Sequence, residues 1–234
     1  PYEESIRVPL LIRGPRIPAG IEVSDLVANV DLAPTILELA GARARVRKDG
    51  RSLLDPIRRP GAESGRELVI ESNRYEGVRT ERYLYAEHVR GPDIGARELY
   101  DLRLDPYQLD NVHRDPAYAG VRRAVAKRLR KLGDCAGAEC RTTPRVRLEL
   151  DGTGEGRCTE GGVTAAIRGK DAHRAIESEF GLRRKRLHTD RRRPHRVRIP
   201  AAKLDRSGPT QIRARVTLRD GRRVDLRERI RRCG

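Results

Sequence analysis

The apolar positions of this chain change their period several times. Between Arg7 and Arg13 they run unbroken as Val8-Pro9-Leu10-Leu11-Ile12 and stop at Gly14-Pro15. A short continuous run predicts a strand covered on both faces, as in the parallel sheet of an α/β protein. Pro9 is tolerable near the start of such a strand. After a loop with Pro15, Pro18 and Gly20, Asp31 is placed to cap a helix running to Ala40. Leu32, Ile36 and Leu39 share one face of it, and Gly41 suits a left-handed stop. Residues 41–66 carry Gly41, Gly50, Pro56, Pro60, Gly61 and Gly65 and read as loop.

From Glu67 the period shortens. Leu68-Val69-Ile70, the alternating Tyr83 and Tyr85, and Glu98-Leu99-Tyr100-Asp101-Leu102 predict short antiparallel strands. A helix is then marked over 117–132. Asp115 is the capping residue, Pro116 suits the first helical position, and Gly133 ends it. Tyr118, Val121, Val125, Leu129 and Leu132 recur at helical steps and form one apolar stripe. Arg122, Arg123, Lys127, Arg128, Arg130 and Lys131 fall around the rest, where a solvated face is the simpler reading and a DNA-reading helix the other.

Beyond Pro144 the pattern is all β. The candidate strands are Val146–Leu150, Val163–Ile167, Val197–Ile199, Ile212–Leu218 and Val224–Ile230. The last two fix their own register. Cross-strand partners share a face, so Val216 should oppose Val224 and Ala214 should oppose Leu226. That pairing needs the three-residue loop Arg219-Asp220-Gly221, with Gly221 left-handed. A two-residue Asp-Gly loop would set Val224 against Thr217. The region reads as a small β-sandwich of immunoglobulin or fibronectin character.

Composition narrows the classes. The chain has 234 residues, 37% hydrophobic, with one Phe and no Trp or Met. No apolar run is long enough for a membrane helix. A translated chain begins with Met, and Pro1-Tyr2-Glu3-Glu4 is not a signal peptide, so the expectation is a processed product or a piece of something longer. Charge is uneven. Residues 1–140 hold 24 basic and 22 acidic side chains, whereas residues 141–234 hold 27 and 12. That asymmetry predicts two regions with different surfaces.

The four cysteines, Cys135, Cys140, Cys158 and Cys233, allow three pairings, and an even count fits disulfides in an exported protein. Nearness in sequence makes Cys135–Cys140 easy and leaves Cys158–Cys233 to bracket the basic region. The rival, a metal site, lacks paired C-x-x-C knuckles or a histidine at ligand spacing.

No catalytic constellation stands out by spacing. G-x-S-x-G, the P-loop, H-E-x-x-H and G-x-G-x-x-G are all absent, and the five histidines are scattered. One charge-dense stretch invites a binding reading: Arg183, Arg184, Lys185, Arg186, Arg191, Arg192 and Arg193, continued by Arg196 and Arg198. Such a cluster can hold sulfate or phosphate groups. With no aromatic interleaved, base stacking has no support. The alternative is a solvated loop in an Arg-rich protein.

Read in order, the segments carry a resemblance. Tyr2 to Pro15 looks like the stretch that follows the active-site His-Gly and Lys of type I sulfatases, in the alkaline phosphatase superfamily. Val27-Ala28-Asn29-Val30-Asp31-Leu32-Ala33-Pro34-Thr35 and onward to Gly41 resembles the next helix of that family. Asp49-Gly50-Arg51-Ser52-Leu53 looks like its D-G-x-S-L segment. Glu98-Leu99-Tyr100-Asp101-Leu102 with Asp105-Pro106 and Asn111 resembles its C-terminal signature. A Cys135–Cys140 closure is similar to secreted N-acetylglucosamine-6-sulfatase-like members, and the whole resemblance is N-acetylglucosamine-6-sulfatase-like or arylsulfatase-like. Residues 145–234 lie outside the likeness.

The resemblance implies an α/β fold of C-terminal sulfatase character. Residues 1–60 would be a piece of the large α/β domain, and 61–142 an antiparallel-sheet subdomain with the 117–132 helix. Residues 143–234 would add the basic sandwich-like domain. It implies a sulfuric ester hydrolase acting on aryl or glycan sulfate esters, secreted to an extracellular or periplasmic space. The family's nucleophile, a hydrated formylglycine from C/S-x-P-x-R beside calcium, belongs to residues that precede Tyr2 in family order. This chain has no such motif; Cys140-Arg141-Thr142-Thr143-Pro144-Arg145 has its proline displaced. No catalytic or metal residue is therefore expected here, and no cofactor is expected in this chain. The expected partners are the missing N-terminal catalytic region, a sulfate-ester substrate in the complete enzyme, and a polyanionic glycan, with no membrane. For Glu3 a structural role is the simpler reading and a place near the rim of a complete site the other. A fragment of a related phosphodiesterase or phosphatase is the remaining alternative.

Overall fold

The computed structural model describes every residue except 44, 63, 134, 142, 155, 156, 183, 184 and 234. The chain forms two units. The first is Pro1–Thr143 together with Asp220–Arg222, and the second is Pro144–Arg219 with Arg223–Gly234.

In the first unit a short helix α1 (Glu3–Ile6) opens the chain. The expected strand at Val8–Ile12 does not form: residues 7–14 belong to no helix or strand and have no ladder partner among the described residues. A strand is stable only when its N–H and C=O groups are paired. Here Leu11 is 95% and Val8 66% exposed. Of this run, Ile12 alone joins a small core with Leu53, Leu54 and Ile57. Leu54 and Ile57 belong to a second short helix of this stretch, α3 (Leu54–Arg58), which follows α2 (Leu32–Leu39). Pro56 in the 41–66 stretch reads as a breaker, yet it sits in the first turn of α3, where its missing N–H costs nothing.

Helix α2 forms where expected and ends at a left-handed Gly41. Its buried side is Pro34 and Thr35, while the stripe of Leu32, Ile36 and Leu39 stays exposed. Asp31 does not cap it through its side chain. A four-stranded antiparallel sheet follows in simple order: β1 (Leu68–Glu71), β2 (Tyr75–Arg79), β3 (Tyr83–His88) and β4 (Arg97–Asp101). Helix α4 (Ala119–Leu132) is preceded by a 3-10 turn, with Asp115 accepting from the Ala117 N–H. Its stripe, Val125, Leu129 and Leu132, packs with Val78, Tyr83, Tyr85 and Leu99. Arg128 departs from the solvated face expected of it. It is buried, and its Nε donates to Glu67 Oε2 at 3.0 Å. Glu67 also accepts from Arg222, itself paired with Asp220, so this unit holds a buried chain of alternating charge.

The second unit contains two sheets. One has the order β10 (Arg196–Ile199), β7 (Val163–Arg168), β5 (Arg147–Asp151). The other has the order β6 (Cys158–Thr159), β12 (Arg223–Arg232), β11 (Thr210–Leu218), β8 (Ala175–Leu182), β9 (Lys185–Asp190). Leu148, Val163, Ala165, Ile167 and Ile199 from the first share one core with Phe180, Ile212, Ala214, Val216, Leu218 and Ile230 from the second. The β11–β12 register pairs Val216 with Val224 and Ala214 with Leu226, and Gly221 has φ 81°.

Two disulfides close the chain covalently, Cys135–Cys140 and Cys158–Cys233. Among the described residues no helix is long and apolar enough to cross a membrane.

Candidate anion-binding surface

The motif segments of the first unit turn out to hold one another. Thr35 Oγ1 donates to the Asp31 carbonyl and accepts from the Leu53 N–H at 2.9 Å. The Arg51 N–H reaches Asp31 Oδ1 at 2.9 Å. Asp49 Oδ1 accepts from the Gly137 N–H at 2.6 Å, inside the Cys135–Cys140 loop. At the other end of the unit Glu3 takes a two-point contact from Arg79, Nε to Oε1 at 2.8 Å and Nη2 to Oε2 at 3.1 Å. Asn111 Oδ1 accepts from the Leu99 N–H at 3.0 Å, tying the C-terminal signature to β4. These polar groups are all occupied in joining segments, which is a structural duty.

A cavity of about 760 Å³ is lined by α2, by Ala42, Arg43, Val46, Arg47 and Lys48, and by the disulfide loop. Arg43, Arg47, Lys48 and Arg141 supply its cations, and Glu38 and Glu139 its carboxylates. With four cations and two carboxylates in its wall, the cavity favours an anionic occupant.

The cluster expected at 183–193 is described in part. Arg183 and Arg184 lie outside the described residues. Lys185 and Arg186 begin the edge strand β9. Arg186 Nη1 is 3.4 Å from Glu179 Oε1, and Arg191 Nε donates to Glu177 Oε2 at 2.6 Å. That bond to Glu177 raises the Arg191 pKa further. Arg193 turns its Nε to the Ala175 carbonyl. The turn itself is held by Asp190, whose two carboxylate oxygens accept from the Arg192 and Arg196 N–H groups at 2.9 Å. Burial alone would raise the Asp190 pKa, but those N–H bonds and the nearby His195 and His188 hold it below its ordinary value. Two of the cations expected to meet a ligand thus face carboxylates of β8. Contiguous charge overlooks a second basic feature, the outward arginines of β11 and β12. These follow from the strand register alone: if 214 opposes 226, Arg213 opposes Arg227.

Among the described residues no three His, Cys, Asp or Glu side chains converge as metal ligands. The metal implied by the family likeness therefore does not fit the residues present.

Comparison with known proteins agrees with the motif reading. The family N-sulphoglucosamine sulphohydrolase, C-terminal, matches residues 1–134. N-acetylglucosamine-6-sulfatase of Capra hircus is 32% identical over 184 residues, covering 62% of this chain and 32% of its own length. An extracellular sulfatase SULF-1 homolog of Drosophila melanogaster is 52% identical over 54 residues, covering 23% of this chain and 5% of its own. A solved structure of a protein in complex with its substrate D-glucosamine-2-N,6-O-disulfate gives a TM-score of 0.38 at 24% identity. It aligns with 44% of this chain and 23% of that one. The chain thus spans about a third or less of the length of these curated relatives.

Proposed function

Since the chain belongs to the N-sulphoglucosamine sulphohydrolase C-terminal family, we propose that it is the C-terminal portion of a sulfuric ester hydrolase. In this reading it supports a catalytic site built by an upstream region. The observation that carries the reading is the match over residues 1–134, in which the family segments brace one another through Asp31, Thr35, Arg51 and Leu53. A second support is the exposure of Val8, Leu10 and Leu11 before the first loop and of Leu32, Ile36 and Leu39 along one face of α2. An apolar stripe on a helix is ordinarily covered by another element, and the upstream region is the partner the family order supplies. The substrate class is an aryl or glycan sulfate ester, with the sugar ester favoured by the relative named N-acetylglucosamine-6-sulfatase.

The nucleophile and calcium site belong to the upstream region in this reading, and the chain alone is inactive. Export fits the two disulfides and the relative named an extracellular sulfatase. The test reads the coding DNA on the 5′ side of Pro1. An in-frame C/S-x-P-x-R, with His-Gly and Lys shortly before Tyr2, is the expected result; a stop codon there without those residues overturns the reading. Independently, the purified chain supplied with calcium should not hydrolyse an aryl sulfate above background.

A second reading, polyanion binding, is favoured by one observation about residues 141–234, their 27 basic against 12 acidic side chains. It assigns that region a glycan-holding role. Retention of the whole chain on a heparin column, lost on modest salt addition, is the measurement that supports it.

A further inference from the structure

Given polyanion binding by the second unit, we infer that the ligand is a sulfated polysaccharide held on the outward face of β11 and β12 rather than by the 183–193 turn. Strand β11 alternates strictly, with Ile212, Ala214 and Val216 buried and Arg213 and Arg215 on the other face. The antiparallel register sets Arg213 opposite Arg227, Gln211 opposite Arg229 and Arg215 opposite Asp225. Residues two apart on a strand share a face at about 6.8 Å, and neighbouring strands lie about 4.8 Å apart. Arg213, Arg227, Arg229 and Arg231 thus form one compact row, and like charges directly opposite destabilise a sheet.

Compensation divides this face in two. Toward the turn, Arg215 meets Asp225 at 2.9 and 3.1 Å, and Glu177 and Glu179 of β8 take Arg191 and Arg186. Away from the turn the carboxylates stop. Among the described residues, none of Arg213, Arg227, Arg229 and Arg231 has a carboxylate in ion-pair reach; Arg213 Nε bonds Gln211 instead. Glu228 points to the other face and meets Arg157. Gly181 of β8 pairs with Arg213 and presents no side chain beside it. Arg227, Arg229 and Arg231 are exposed.

A row of guanidinium forks suits sulfate, carboxylate or phosphate oxygens, each taken by two N–H groups. Four such forks on one sheet need a ligand that repeats its anionic groups along a chain. Nucleic acid would also bring bases, which single-strand binders stack on aromatics. The second unit offers none: all seven tyrosines lie in residues 2–118, Trp is absent, and the single Phe, Phe180, is 1% exposed. A polysaccharide bearing sulfates needs only the charges.

The experiment uses the full chain with two probes, a heparin oligosaccharide and a single-stranded oligodeoxynucleotide of equal charge, titrated at several salt concentrations. Three proteins are compared: the unaltered chain, R213Q/R227Q/R229Q, and the turn control R186Q/R191Q/R192Q. The sheet variant should bind heparin at least about tenfold more weakly near 0.1 M salt, with a salt slope shallower by about three. The turn control should stay within about threefold. Removing opposed like charges should leave the melting temperature of the sheet variant unchanged or raised. If that variant does not fold, R227Q alone should still lower affinity about threefold. Loss of binding in the turn control but not in the sheet variant overturns the face and leaves polyanion binding standing. No heparin binding by the unaltered chain at 50 mM salt overturns polyanion binding itself. Oligonucleotide binding as tight as heparin overturns the polysaccharide.

Discussion

Arg66 grips Asp31 at two points, Nη2 to Oδ1 at 2.7 Å and Nη1 to Oδ2, across 35 residues of chain. Asp31 is fully buried, and its carboxylate also accepts from the Ala28 N–H at 2.8 Å and the Arg51 N–H at 2.9 Å. A position that looks like a helix cap is therefore the anchor of three segments. Removing one partner of a buried pair leaves the other charged and desolvated, at a cost of roughly 3–5 kcal/mol. Arg66→Ala should lower the stability of the first unit by that amount. Arg66→Lys should cost less but still register, because an ammonium cannot reproduce the two-point fork. Tyrosine fluorescence during urea unfolding isolates this unit, since every tyrosine lies in residues 2–118. A loss under 1 kcal/mol for Arg66→Ala would sink the assignment.

Gly50 owes its place to space. A Cβ there would collide with the backbone of Val30, both its carbonyl carbon and oxygen, and come within 2.8 Å of the Asp31 nitrogen. Backbone cannot step aside as a flexible side chain can. Gly50→Ala should therefore separate the 49–53 segment from Asp31 and Thr35, costing about 3 kcal/mol or more. Gly61→Ala is the comparison that meets no atom within 4 Å at the new Cβ, although its φ of 74° carries strain of its own. A Gly50→Ala protein no less stable than the Gly61→Ala one would contradict the close approach.

Much of this architecture is legible before any coordinates, and the exceptions share physical causes. Helix α4 and the 216–224 register follow from side-chain periodicity alone, because each buries one face against a sheet. Strand β2 escapes notice because Glu76 and Gly77 interrupt its apolar pattern, and Gly77 is there to let the Tyr85 carbonyl approach. Edge strand β9, Lys-Arg-Leu-His-Thr-Asp, has almost nothing to bury. The run Val8–Ile12 misleads in the opposite direction: its composition demands two covered faces, and the described residues supply no ladder. Arg128 reads as solvated and is buried together with Glu67, Asp220 and Arg222, since opposite charges far apart in sequence meet only after folding. The basic face of β11 and β12 is hidden from a linear reading for a similar reason. Contiguous arginines at 191–193 attract attention, but Glu177 neutralises part of them from β8. Arg213 and Arg227 are fourteen positions apart and become neighbours only through the register.

The two disulfides should differ in worth. Cys158–Cys233 closes a loop of 75 residues and Cys135–Cys140 one of 5. Loop entropy makes the first worth about 4.5 kcal/mol and the second about 2. Cys158→Ser/Cys233→Ser should therefore destabilise the second unit more than Cys135→Ser/Cys140→Ser does the first. Tyrosine fluorescence follows the first unit, and the far-UV circular dichroism transition that does not coincide with it follows the second. Equal losses for the two double variants would show that loop entropy is not the main term.

His113 gives the first unit a pH dependence of known sign. Burial lowers its pKa below 6.5, and Arg122, Arg97 and Arg114 push the same way. Its Nδ1 is buried without a hydrogen-bond partner among the described residues, and its ring lies 6.2 Å from that of Tyr85. Charging the imidazole therefore costs more in the folded chain than in the unfolded one. Above about pH 6.5 neither state holds the proton and the contribution is fully present. As pH falls below that value the unfolded chain takes up a proton first, and stability drops until the folded pKa is passed. Melting followed by tyrosine fluorescence at pH 8, 7, 6 and 5 should show this decline in the unaltered chain. His113→Gln, which keeps a polar group but cannot titrate, should flatten the part of the curve between pH 7 and 5. Parallel curves for the two proteins across that window would mean that His113 titrates alike in both states and that its burial is without thermodynamic effect.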